Sequence, residues 1–187
     1  AVAVIVHPQS ADTLFTMQEI TDLLTGKSTK SLVPVFDGVK ATSTVRFVID
    51  SVLRGQALSP KVVAANGSEA VIDYVSRTKN AVGFLGVSWI GNRDDSAQLS
   101  YLSRIKAAQI EHPLIKDKFV TPAQYNIYYR RYPMVRDLVY VLKEKHNGLG
   151  HGFAYFMAGQ RGQLIFKRAY LMPATVNLGT REATLTE

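Results

Sequence analysis

Three consecutive hydroxyl residues, Thr42, Ser43 and Thr44, stand at the head of an apolar-periodic run in KATSTVRFVIDSVL, Lys40 to Leu53. The spacing predicts a helix from about Thr44 to Arg54, with Val45, Val48, Ile49, Val52 and Leu53 facing inward. The first N–H groups of a helix lack intrahelical acceptors and carry its positive dipole end. A small oxyanion placed there gains charge-assisted hydrogen bonds. The hydroxyls of Thr42, Ser43 and Thr44 would add donors, and Lys40 and Arg46 full positive charge. The same residues fit an ordinary N-cap equally well, with Thr42 or Ser43 capping a core helix.

Other groupings fail on spacing. TGKST, Thr25 to Thr29, imitates the end of a phosphate loop, but Thr21 stands where that motif needs its first glycine, and the segment follows a helix rather than a strand. GVSWIG, Gly86 to Gly91, approaches a nucleophile elbow with Ile90 in place of the second glycine. His7, His112, His146 and His151 are too scattered for a metal site and read as structural or surface residues. Asp94 and Asp95 read as loop solvation, and no carboxylate pair is marked out for acid–base work. YYRRYP, Tyr128 to Pro133, interleaves aromatics with arginines as nucleic-acid surfaces do. A packed strand with snorkelling arginines is the expectation there, and no nucleic acid is expected as a partner. Neither an enzyme nor a cofactor or metal is implied.

The elements that must position the hydroxyl cluster follow from periodicity. AVAVIVHP, Ala1 to Pro8, reads as a buried strand. Thr16 and Glu19 form a capping box for a helix carrying Ile20, Leu23 and Leu24 inward and stopped by Gly26. LVPVF (Leu32 to Phe36), KVVAA (Lys61 to Ala65) and AVGFLGVSW (Ala81 to Trp89) read as further strands, and Ser68 as the cap of a helix with Val71, Ile72 and Val75 inward. Strands alternating with helices predict an α/β sheet, at least partly parallel. Beyond it come a polar loop (Gly91 to Ser100), a strand near Ile105 to Ile110, and an aromatic extended stretch after Pro122. A strand at Leu138 to Leu142 and two short helices broken at Gly159 follow.

The 187 residues are 47% hydrophobic and 20% charged, enough for a real core in one ordinary domain or one domain and part of another. No apolar run approaches the roughly 20 residues of a membrane span. The net charge of +7 suits anionic partners, though it fits a plain solvated surface equally well. With no cysteine, disulfides, thiolate metal sites and Cys nucleophiles are excluded. The chain opens at once on a core strand and shows no signal peptide, as expected of a processed chain or of part of something longer.

Taken in order, these pieces resemble the phosphate-type periplasmic solute-binding proteins of ABC transporters, with the type II periplasmic-binding-protein fold. AVAVIVHPQSADTLFTMQEITDLLTGK is similar to that family's opening crossover strand, helix and TGK turn. The Thr-Ser-Thr helix start resembles its Ser-Gly-Thr anion loop, and GSEAVIDYVSRTKNAVGFLGV its helix leading into a core strand. YPMVRDLVYVL resembles the strand that returns to the first lobe, and GFAYFMAGQRGQLIFKRAYLMPA the terminal helices. The family loop is Arg-x-Asp-Gly-Ser-Gly-Thr, and its Arg binds phosphate. Aligned on Thr-Ser-Thr, Gly38 stands at that Arg; aligned on Asp37-Gly38, Val35 does. Either way the Arg is missing and Ser43 replaces the middle glycine.

The resemblance implies an α/β lobe with a mixed sheet flanked by helices. Residues 5–135 would form a second lobe with the anion loop, 136–175 the return strand and helices belonging to the first lobe, and 176–187 a tail. Most of the N-terminal lobe would be missing, supplied by a separate chain or an absent segment. The function implied is extracytoplasmic capture, periplasmic or as an outer-face lipoprotein, of phosphate or a similar oxyanion for an ABC permease. Thr42, Ser43 and Thr44 would donate hydrogen bonds, Lys40 and Arg46 would balance charge, and Asp37 would correspond to the motif's Asp and accept a proton from the ligand. The alternative is an interaction or scaffold module of the same fold that has lost its ligand.

Overall fold

The structure, a computed structural model, describes residues 1–38, 42–92 and 94–175. Two compact units divide the chain, Ala1–Leu138 and Val139–Glu187. In the first, β1 (Val2–Val6) buries all five of its side chains, as a strand covered on both faces must. It pairs antiparallel with β5 (Ala81–Gly86) and β6 (Lys106–Ala107). β3 (Val33–Phe36) runs parallel to β5 on one side and to β4 (Val63–Ala64) on the other, giving a mixed sheet in the order β4-β3-β5-β1-β6. Phe36 and Phe84 lie in register near the ends of β3 and β5, their rings stacked at 4.7 Å. The α/β class expected from sequence is the class observed.

Helix α1 (Met17–Thr25) forms as its caps dictate. The Glu19 amide donates to Thr16 Oγ1 at 3.1 Å and the Thr16 amide to Glu19 Oε2 at 2.9 Å, while Gly26 closes the helix in a left-handed conformation. Helix α3 (Ser68–Arg77) lays Val71, Ile72 and Val75 on the sheet. It comes so close that a Cβ on Gly83 would stand 2.8 Å from Ile5, Val71 and Val75. A glycine in the middle of β5 therefore sets how deeply α3 sits. A second sheet of three short strands joins β2 (Leu14–Phe15) in parallel to β7 (Gln109–Glu111), which pairs antiparallel with β8 (Phe119–Val120).

Five local expectations are corrected. The helix after the hydroxyl cluster is α2 (Ser43–Phe47), which runs on as a π turn, Val48–Val52, instead of staying α-helical to Arg54. There the Leu53 amide donates to the Val48 carbonyl at 2.8 Å; Val45, Val48 and Leu53 are buried, but Ile49 and Val52 only half so. Ser68 is not the cap of α3: Gly67 occupies that position, and the Ser68 hydroxyl turns elsewhere. The polar loop is cut short by α4 (Ser96–Arg104), because the Asp95 carboxylate accepts from the Ala97 amide and starts a helix instead of merely solvating a loop. The aromatic stretch contains α5 (Gln124–Tyr128), one short helix that buries Ile127. Residues 138–142 have no ladder partner among the described residues.

In the second unit, α6 (Leu149–Ala158) and α7 (Gln160–Arg168) break at Gly159 as read from sequence. Gln163 ties them to the following chain, donating to the Met157 carbonyl at 2.7 Å and accepting from the Ala174 amide at 2.7 Å. Tyr140 packs on Phe153, yet α6 buries none of its residues, and Leu149 is 92% exposed. No helix among the described residues is long and apolar enough to cross a membrane.

Candidate functional site

At the carboxyl end of β3 the chain leaves the sheet through Asp37 and Gly38. Gly38 adopts φ +148°, and a Cβ there would stand 2.9 Å from the Thr42 methyl. Only glycine lets the loop fold back so tightly that the start of α2 returns to the strand end. Asp37 then accepts from the Thr42 hydroxyl through Oδ1 at 2.9 Å and from the Ser68 hydroxyl through Oδ2 at 3.4 Å, a long bond. Thr42 begins α2 and Ser68 is the first residue of α3, so one carboxylate joins the starts of two helices at the sheet edge. The crevice outside the carboxyl ends of parallel strands is where open α/β sheets bind ligands.

The hydrogen bonds at this edge decide which donors remain. Thr42 Oγ1 gives its single proton to Asp37 and accepts from the Val45 amide at 3.3 Å, so it is both cap and carboxylate partner. It has no proton left for a ligand in this arrangement, against the role expected of it. The amides of Ser43 and Thr44, at the first two positions of α2, have no intrahelical acceptor. Thr44 is 1% exposed, and its hydroxyl makes no hydrogen bond among the described residues. Ser43 is exposed, as is Arg46 in the last turn of α2, and neither side chain has a hydrogen-bonding partner among the described residues. Lys40 lies outside the described residues. Of the six expected site residues, the structure thus brings Asp37, Thr42, Ser43 and Thr44 together; Arg46 joins them only through its backbone amide, which donates to the Thr42 carbonyl at 3.0 Å.

Two residues missed from sequence stand at the same edge. Ser68 has the residue type of a cap but serves Asp37 from the neighbouring helix. Arg136 lies on the segment after Tyr132. That segment is anchored when the Met134 carbonyl accepts from the Val2 amide at 2.9 Å and the buried Tyr132 hydroxyl donates to the Val2 carbonyl at 2.9 Å. Val2 pairs with Gly86, the last residue of β5. A Cβ on Gly86 would stand 3.7 Å from Ser88 Oγ, 3.8 Å from Trp89 Cδ1 and 4.0 Å from Arg136 Nη2. Burial pulls the Arg136 pKa below the usual arginine value, and the charge of Asp37 pulls it partly back. Nothing in the local pattern of YYRRYPMVR separates Arg136 from Arg130 or Arg131; only the long-range pairing with β1 does.

The excluded motifs stay excluded for visible reasons. In TGKST the amides of Lys27 and Ser28 both donate to the Asp22 carbonyl, at 2.8 and 3.0 Å, closing α1 instead of cradling a phosphate. The neighbouring cavity of about 190 Å³ is bordered by Lys30, whose ammonium is held by Asp12 at 2.8 Å and Glu19 at 3.0 Å. His7 and His112 each accept a backbone amide two residues on, as turn residues do, and the described residues contain no cluster suited to a metal. YYRRYP is not the packed strand expected. Tyr128 and Tyr129 are exposed, and the Arg131 guanidinium lies over the rings of Tyr125 and Tyr129, 4.9 and 5.1 Å from their centres.

Residues 1–161 match the family model of the PBP superfamily domain, and the chain belongs to that family. Among solved structures it is similar to a Clostridium perfringens protein assigned as a phosphate ABC transporter substrate-binding protein and solved with phosphate bound. The two share 22% identity and a TM-score of 0.73 over 93% of this chain and 68% of that one. An ABC-type phosphate transport receptor from Vibrio cholerae aligns at 17% identity and a TM-score of 0.70, over 92% of this chain and 69% of its own. PstS from Borrelia burgdorferi aligns at 14% identity and a TM-score of 0.68, over 92% and 68%. At such identities these likenesses bear out the periplasmic-binding-protein-like fold expected from sequence. No curated protein sequence matches the chain.

Proposed function

We propose that this chain is the anion-binding part of an extracytoplasmic solute-binding protein, which captures inorganic phosphate or a similar tetrahedral oxyanion for an ABC transporter and does no chemistry on it. The observation that carries this is the Asp37–Thr42–Ser68 cluster, a carboxylate joined to two helix starts at the carboxyl end of β3. The amides of Ser43 and Thr44 and the Thr44 hydroxyl offer donors to the ligand, and Lys40 and Arg46, which flank them in the sequence, add positive charge. Asp37 keeps lone pairs free to accept the proton of hydrogen phosphate, which sulfate does not carry at neutral pH.

Residues 5–135 act as the second lobe in this reading, residues 136–175 as the return strand and helices of the first lobe, and 176–187 as a tail. The remainder of the first lobe, as another segment or a separate chain, covers the exposed apolar residues of α6 and closes over the anion by hinge motion. An ABC permease receives the loaded form. Two observations favour a second reading, a ligand-free scaffold: the motif Arg is absent and the Thr42 proton is already committed to Asp37.

Calorimetric titration of the full-length protein with phosphate, and with sulfate as control, separates the two. Micromolar or tighter phosphate binding is expected, weakened about 10- to 100-fold by Thr44→Val through loss of one hydrogen bond to a charged ligand. A folded protein that binds neither anion would establish the scaffold reading instead.

A further inference from the structure

We infer that Arg136 supplies the positive charge the anion loop lacks, its guanidinium completing the oxyanion site from the carboxyl end of β5, across from Asp37. This rests on the proposed anion site and adds a binding residue to it. The first support is placement. Phe36 and Phe84 are paired neighbours on β3 and β5, and two residues beyond them come Gly38 and Gly86. Arg136 Nη2 stands 4.0 Å from the Cβ position of Gly86, so it reaches the strand end beside the one that bears Asp37. The Met134–Val2 and Tyr132–Val2 hydrogen bonds hold the segment that carries it against the sheet.

The second support is chemical. Arg136 is half-buried and forms no ion pair with a described carboxylate, nor any side-chain hydrogen bond among the described residues. Its planar fork of five donors suits two oxygens of one tetrahedral anion. The third is electrostatic. Asp37 acts on Arg136 through its charge, so the two groups share one neighbourhood without touching. A carboxylate alone repels an incoming anion; a guanidinium facing it offsets that repulsion and leaves Asp37 to take the ligand's proton. Together they define a site for a protonated tetrahedral oxyanion in preference to a fully ionised one.

The test is calorimetric titration of the full-length protein and its Arg136→Gln and Arg136→Lys variants with inorganic phosphate and with sulfate, each variant's thermal midpoint being recorded. Arg136→Gln is expected to weaken phosphate binding about 10- to 100-fold with little change in midpoint, the scale of lost hydrogen bonds between charged groups. Arg136→Lys should recover only part, since a point charge does not replace the fork. Should Arg136→Gln not fold, the lysine variant is read alone, and a several-fold loss is expected. Phosphate affinity unchanged in the folded variants, with the wild type binding, overturns the role of Arg136 and leaves the site standing. A folded wild type that binds neither anion overturns both.

Discussion

Thr42 shows how a single side chain resolves a choice the sequence leaves open. Its hydroxyl accepts from the Val45 amide and donates to Asp37, so it is the plain cap and also a part of the candidate site. In the proposed site the donors offered to the anion therefore shift by one and two residues, to the amides of Ser43 and Thr44 and the Thr44 hydroxyl. Thr42→Ala should therefore cost about 1 kcal/mol of stability through the lost cap, measurable as a lower urea midpoint at unchanged slope. A neutral result would mean that neither hydrogen bond matters to folding. The hydroxyl cluster itself was legible, because residue types and spacing alone mark a helix start. Ser68 and Arg136 were not, because each joins the site from a distant part of the chain.

Elements with dense local signals form as read. β1 is a continuous apolar run and α1 carries both halves of a capping box and a glycine stop, so nothing long-range is needed to specify them. The misreadings fall where one interaction overrides a pattern. The Asp95 cap turns a polar loop into α4, a π turn widens the helix after Phe47, and the two-residue strands β2 and β8 are too short to show a period. Gly83 links element packing to the site, because α3 settles onto it and so carries Ser68 toward Asp37. Gly83→Ala should destabilise the protein by about 1–3 kcal/mol by overpacking against Ile5, Val71 and Val75. Chemical denaturation reads this directly, and a loss below about 0.5 kcal/mol would show that α3 can withdraw without cost.

At the scale of the molecule, the family and fold were legible from the order of the pieces more than from any one motif, and the match over residues 1–161 bears that out. The site was less legible, since its family Arg is missing and Arg136 can be recognised only once the segment after Tyr132 is seen against β1. The central claim is that a tetrahedral oxyanion binds at the edge where β3, α2 and α3 meet. Amide-resolved NMR of the protein titrated with phosphate tests it most directly. The largest shifts are expected at Ser43, Thr44 and Ser68, with the Arg136 side-chain resonances moving alongside. No shifts, or shifts concentrated elsewhere, such as at the Lys27–Lys30 turn, would contradict it.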